Sequence, residues 1–315
     1  MAQYSLIEEN ITAVTDSWFQ ARLDRVSSED PALQSLLASE VEALKSFHNG
    51  SLLTDEAAKS ITRPITDSPV PHLGTYSDES RALGHLWALL IEALIEWPSS
   101  RTPSLVAVLK SIKKSPGNIH RGEATDDEEK PLSWGSLPYF TRVWSDNHWM
   151  SPGQIARRCP NDAARHRARE QYVKQQDVEA QLVAAQLFAE GPLTFPRALQ
   201  YVARTLERTP GPDDSEDASD DASADEQLRL DFRVPATARW IQHCGQRLHD
   251  ILRENEIAWW DLRSIPGSPM TFDDSYGHWK FWEKRLLALS KEEQDQAIKE
   301  AAKSAMGHMR ASVNG

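Results

Sequence analysis

A chain of 315 residues, 40% of them hydrophobic, is long enough to bury a large core as one domain or as two closely joined lobes, and needs no disulfide or structural metal to fold. Its two cysteines, Cys159 and Cys244, match neither a zinc spacing nor a redox pair. The net charge of −12 is concentrated in two tracts, five carboxylates in 123–129 and eight in 213–226; leaving out these thirteen turns it to +1, so neither an acidic nor a basic partner follows from charge.

Apolar residues recur at helical spacing through nearly every segment, and the alternating Val/Ile/Thr runs of strands are missing. This predicts an all-α fold, an irregular multi-helix bundle forming a single domain over 1–315. The first helix uses Ile7, Ile11, Val14, Trp18 and Ala21, is broken by 27–31, and Pro31 opens the next. A short helix over 55–61 ends at the cluster of Pro64, Pro69 and Pro71. The strongest pattern spans 78–97, with Leu83, Leu86, Trp87, Leu90, Ala93, Leu94 and Trp97 on a broad apolar face. Arg81, His85, Glu92 and Glu96 fall on one narrow polar stripe of that helix, which suggests a solvent-facing His85–Glu92 pair. Thr102-Pro103 reads as cap and first residue of a helix carrying Leu105, Val106, Val108, Leu109 and Ile112.

Residues 115–131 form an acidic loop, followed by an aromatic-rich segment with Trp134, Tyr139, Trp144 and Trp149, interrupted by Pro138 and Pro152. A long helix then runs over 162–190, capped by Asn161 and stopped by Gly191-Pro192. The next carries Ala198, Tyr201, Val202 and Leu206. Residues 209–227, almost entirely Pro, Gly, Asp, Ser, Ala and Glu, bury too little apolar surface to offset the entropy of ordering them and read as a disordered acidic insertion. Trp240, Ile241, Cys244, Leu248, Ile251 and Leu252 make a further amphipathic face, and Trp279, Trp282 and Leu286 another. Ser290 and Glu293 are spaced as a capping box for a last helix whose seam is Ala297, Ile298, Ala301, Ala302, Ala305, Met306 and Met309.

Asp213-Asp214-Ser215-Glu216-Asp217 spells the DDxxD of magnesium-dependent terpene cyclases, and 126–129 approximates it. Both runs sit among Pro, Gly and Ser instead of on a rigid apolar helix, where aspartates would project towards a metal, so they read as solvated charge. The second cyclase motif fails at Asn161-Asp162, where Arg165 stands in place of the hydroxyl and Glu170 comes one residue late. His166 and Glu170, like His243 and Arg247, lie four apart on a helix without the three or four ligands a metal needs. No nucleophile elbow or phosphate-binding glycine loop is present, and no cofactor is expected. Arg157, Arg158, Arg165, Arg167, Arg169 and Lys174 give one basic patch, offset by Asp162 and Glu170 and read as a solvated helix face, so no nucleic-acid partner is expected.

Eleven tryptophans depart furthest from average usage. Indoles serve as core bolts or as walls of an apolar pocket. Trp87, Trp240, Trp279 and Trp282 fall on buried helix faces, whereas Trp134, Trp144 and Trp149, with Tyr139 and His85, are the residues that would line a pocket.

Leu86-Trp87-Ala88-Leu89-Leu90, Leu105-Val106-Ala107-Val108-Leu109, Trp134-Gly135-Ser136-Leu137-Pro138-Tyr139-Phe140, Ala238-Arg239-Trp240 and Trp279-Lys280-Phe281-Trp282 resemble, in order and rough spacing, a fungal helical family known as domain of unknown function 3632, over residues 54–309. The resemblance implies a soluble fungal protein with an acidic insertion of variable length before the Ala-Arg-Trp helix, and no particular reaction. The first ten residues lack the basic start and apolar run of a secretory signal. The longest apolar stretch, 86–95, contains Glu92 and falls short of the ~18 residues of a membrane span. The expectation is a cytoplasmic protein, with a nuclear location also open and no membrane partner, that binds a protein or small molecule. The alternative is an accessory enzyme of fungal secondary metabolism built around a Trp-lined pocket.

Overall fold

The computed structural model describes residues 14–26, 31–67, 76–116, 118–119, 132–148, 150–189, 191–207, 229–254, 275–293 and 295–314. The insertion at 209–227, the acidic run at 123–129, most of the 115–131 loop, Trp149, Ile7 and Ile11 lie outside them. The fold is all-α, with one two-residue antiparallel pair, β1 (Asn118–Ile119) with β2 (Leu132–Ser133). None of the described helices is long and apolar enough to cross a membrane. The chain divides into two compact units, Met1–His148 and Trp149–Gly315.

The first unit contains α1 (Asp16–Val26), α2 (Pro31–His48), α3 (Thr54–Asp67), α4 (Tyr76–Glu96), α5 (Thr102–Lys114) and α6 (Phe140–Asn147). Its core is laid down by α4, where Leu83, Leu86, Trp87, Leu90, Ala93 and Leu94 are all buried, as the periodicity predicts. Helix α3 does not stop at Pro64 but continues to Asp67. The turn beyond the proline buries Ile65, one turn on from the buried Ile61, and this apolar burial offsets the backbone hydrogen bond that proline removes. Part of the polar stripe of α4 meets α1, while Arg81 and Glu96 remain exposed. Arg22 and Arg25 between them engage both oxygens of Glu92, and Arg22 and the Trp18 indole also reach Glu96. The expected His85–Glu92 pairing therefore gives way to an α1–α4 ion-pair ladder, with His85 half-buried on α4.

The second unit contains α7 (Pro152–Arg157), α8 (Asp162–Ala184), α9 (Phe195–Leu206), α10 (Leu230–Glu254), α11 (Tyr276–Glu292) and α12 (Gln296–Asn314). Asn161 caps α8 as expected, accepting from the Ala164 backbone N–H at 2.9 Å. That helix ends at Ala184, short of the expected end at residue 190, because Gln186 turns left-handed at φ 53° and redirects Leu187 into the core. The capping box also moves. Ser290 lies inside α11, donating back to the Leu287 carbonyl at 2.8 Å, and Asp295 caps α12 by accepting from the Ala297 backbone N–H at 2.8 Å.

Helix α10 is the axis of this unit and packs along α8, α9 and α12. It buries Phe232, Trp240, Ile241, Cys244, Leu248 and Leu252. Gly245 brings α12 close: a Cβ there would lie 2.7 Å from Ser312 Oγ. The seam of α12 answers with Ile298, Ala302, Ala305, Met306 and Met309, all buried, so small side chains set the spacing of the two helices.

Candidate binding site

The residues expected to line a pocket belong to the first unit, apart from Trp149, which lies outside the described residues. Trp134 is wholly buried. Its indole donates to Thr66 Oγ1 at 3.1 Å, and its ring meets Trp87 edge-on at 6.1 Å. Trp87 donates in turn to the Pro138 carbonyl at 2.6 Å and packs on Phe140 at 5.4 Å. Trp144 is buried on α6, with the His148 ring 4.3 Å away. Tyr139 is half-buried and left-handed, at φ 64°, where the chain turns into α6. Trp134 is thus tied into the packing around Trp87, and its one polar atom is already satisfied.

The indoles of the second unit are anchored in the same way. Trp240 donates to Gln176 Oε1 at 3.0 Å. Trp282 and His278 both donate to the fully buried Glu207 Oε1, each at 2.6 Å. Each of these polar tips finds an internal acceptor, which is the condition for burying so much indole without a desolvation cost.

A different set of residues meets where α8, α10 and α12 run together. Asp177 on α8 is buried, yet it faces charged groups that reach solvent. Its Oδ2 accepts from Gln181 Nε2 at 2.9 Å, and its Oδ1 lies 3.0 Å from His243 Nε2 on α10. A carboxylate only accepts, so Nε2 carries the proton and the ring tautomer is fixed. Arg239, one turn before His243, places Nε 3.9 Å from the same oxygen and donates to Gln242 Oε1 at 3.0 Å. The Arg239 side chain is 49% exposed and that of His243 23% exposed.

Burial works to raise the Asp177 carboxyl, but the hydrogen bond and charge of His243, with Arg239 and Lys174, outweigh it and hold the group below the usual carboxylate range. Lys174, one turn before Asp177, is half-buried. Burial drives its ammonium down to about 8, with Arg239 adding to the shift and Asp177 opposing it. On α12, His308 is lowered first by burial and then by the charges of Arg239 and His243. Lys174, Arg239 and His243 therefore act on the Asp177 carboxylate, and His308 feels the charges of Arg239 and His243.

In the basic patch read along α8, Arg157, Arg158 and Arg167 are exposed, as a solvated face requires, whereas Arg165 pairs with Asp231 at 2.6 Å and Lys174 is half-buried near Asp177. Sequence reasoning missed Asp177, Arg239 and His308 as site residues. The available signal was the spacing of Arg239 and His243 by one turn on the polar edge of α10 and of Lys174 and Asp177 by nearly one turn on α8; their meeting across 66 residues was not legible. Among the described residues, no group of three or more His, Cys, Asp and Glu side chains could hold a metal ion. The DDxxD-like runs lie outside those residues.

The chain belongs to the family described as protein of unknown function (DUF3632), whose model matches residues 87–286. The match runs from Trp87 in α4 to Leu286 in α11 and takes in α8 and α10. No curated protein and no solved structure matches the chain.

Proposed function

We propose that this chain is a helical binding protein and that the Asp177 cluster on α8, α10 and α12 is its ligand-contact surface. The observation that carries this reading is the contrast between that cluster and the buried polar groups around Trp87, Trp240 and Trp282. Those three indoles and the Glu207 carboxylate spend their hydrogen bonds inside the fold. Here Arg239 and His243 keep part of their surface in water around a carboxylate that is already engaged. Hydrogen bonds to Gln242 and Asp177 already orient Arg239 and His243, so less entropy remains to be lost when they meet a partner. The fungal origin belongs to the same proposal and rests on the sequence resemblance. The cytoplasmic location is supported by Cys159 and Cys244 both being free thiols, as in a reducing compartment.

A thermal-shift screen of the wild type and of the Arg239→Ala/His243→Ala double variant, against nucleotides, organic acids, apolar metabolites and metals, tests the reading. A ligand that binds the native state raises the melting point by mass action. The expected result is at least one ligand that stabilises the wild type and not the double variant. Ligands that stabilise both proteins equally would count against this surface.

A further inference from the structure

His249 and Asp250 on α10 and Tyr276 at the start of α11 form a chain of side chains in the second unit. The His249 ring is buried and held edge-on against Trp279 at 5.2 Å and Tyr276 at 5.6 Å. Its Nδ1 lies 3.3 Å from Asp250 Oδ1 and its Nε2 3.4 Å from the Tyr276 hydroxyl. A carboxylate only accepts, so Nδ1 carries the proton and the neutral ring keeps its lone pair on Nε2. The order of donation is then forced: the Tyr276 O–H donates to His249, and His249 donates to Asp250. Gln246 Nε2 at 3.3 Å and Arg253 at 3.6 Å hold the carboxylate from its other neighbours. Burial works against its charge, but the hydrogen bonds from Gln246 and His249 and the charges of Arg253 and His249 hold Asp250 below the usual carboxylate range. The Lys280 ammonium stands 5.1 Å from the centre of the Tyr276 ring, where a positive charge favours the phenolate.

A hydroxyl whose proton is directed to an imidazole, itself oriented by a carboxylate, is the arrangement that turns a weak nucleophile into an active one. We infer that Tyr276 is a nucleophile that takes an acyl group from an activated ester, with His249 as its base and Asp250 as the residue that positions the base. As Tyr276 Oη forms its bond to the acyl carbon, its proton passes to His249 Nε2. The bond from that carbon to the leaving oxygen then breaks, and the imidazolium returns the proton to the departing alcohol. The products are an acyl-tyrosine and a free alcohol. Tyr276 is half-buried, so its ring is fixed while part of the side chain meets solvent. This activity stands apart from the Asp177 surface, shares no residue with it and does not depend on ligand contact there.

Treatment of the full chain with p-nitrophenyl acetate tests this, with acetylation followed at each tyrosine by peptide mass spectrometry. Tyr139, also half-buried, and the buried pair Tyr172 and Tyr201, whose hydroxyls bond to each other at 2.9 Å, are internal references. Tyr276 should acetylate roughly a hundredfold faster than Tyr139, the lower end of what a positioned general base contributes. His249→Gln should remove that advantage. Because the His249 ring is buried, Asp250→Asn is the second variant, at a side chain that is 26% exposed. Its amide can donate to Nδ1, which moves the ring proton to Nε2 and leaves no lone pair there for the Tyr276 proton. Asp250→Asn should therefore slow Tyr276 with the circular dichroism spectrum unchanged, and the nitrogen NMR shifts of His249 should report the change of tautomer, which a merely structural role for Asp250 would not produce. Acetylation of Tyr276 no faster than that of Tyr139 would overturn the inference, as would equal Tyr276 rates in the wild type and Asp250→Asn. If His249→Gln does not fold, the Asp250→Asn comparison decides alone.

Discussion

Glu40 on α2 is wholly buried, and neither oxygen of its carboxyl has a hydrogen-bond partner. Burial pushes its pKa well above the ordinary value of 4.5, so the folded chain holds the proton that the unfolded chain releases. An acid raised in this way adds nothing to stability above that value and costs progressively more as the pH climbs. Glu40→Met is therefore expected to raise the unfolding free energy by roughly 1–3 kcal/mol at pH 7, the scale of an unpaired buried polar group. Urea titrations at pH 4 and pH 7 check this, with the smaller gain at pH 4.

Lys174 shows the opposite sign. Its ammonium, lowered to about 8, is a charge the fold tolerates at a cost, and that cost is relieved as the pH rises between about 8 and the ordinary 10.5. Lys174→Met should stabilise the protein at pH 7 by about 1 kcal/mol, after discounting for its partial exposure. Denaturation series at pH 7 and pH 9, with the smaller gain at pH 9, check this. The thiols offer a simpler contrast. Cys244 is buried, donates to the Ala180 carbonyl at 3.4 Å, and is pushed up to about 12 by burial, while Cys159 is half-buried. A thiol reagent near pH 8 should titrate Cys159 quickly in the native protein and Cys244 only on unfolding, since the thiolate is the reactive form.

At the scale of elements, the spacing of α10 and α12 is what brings His308 towards Arg239 and His243. Gly245 and Ser312 set that spacing, and Ser312 Oγ also donates to the His308 carbonyl at 2.9 Å. Gly245→Val should lower stability by about 1–3 kcal/mol through overpacking and should disturb the histidine resonances of both helices, with Ser312→Gly in the same chain recovering part of each. The helices themselves are largely legible in the sequence. Leu86, Trp87 and Leu90 on α4 and Trp240, Ile241 and Cys244 on α10 are buried where periodicity puts them, because a helix folds by burying one stripe. What misleads are local signals overruled by packing. Pro64 ends no helix because Ile65 is buried beyond it, and Ser290 caps nothing because the chain stays helical to Glu292. Glu92 reads as half of a solvent-facing pair with His85 because the arrangement of α1 against α4 is a tertiary fact, carried by Arg25 and by Arg22, which lies 70 residues before Glu92.

Across the whole molecule, composition and periodicity specify the all-α class but leave the site unmarked. In sequence, Lys174 is one more member of a solvated basic face, and His243 is half of a surface pair with Arg247. Neither sequence spacing nor charge says which helices will lie side by side, so Asp177 and His243 become neighbours only once α8 and α10 have packed. The tryptophans illustrate the converse. Trp87, Trp240 and Trp282, read from the sequence as core residues, are buried, and they and Trp134, a residue expected to line a pocket, each direct the indole N–H to an acceptor within the fold. The central claim is ligand contact at the Asp177 cluster, distinct from the segment containing Trp134 and Trp144. Two-dimensional NMR of labelled histidine rings and tryptophan indoles, recorded during titration with a ligand that stabilises the wild type in the thermal-shift screen, reads both places at once. The predicted result is saturable movement of the His243 and His308 signals with the Trp134 and Trp144 indoles unmoved; shifts at those indoles with both histidines still would contradict it.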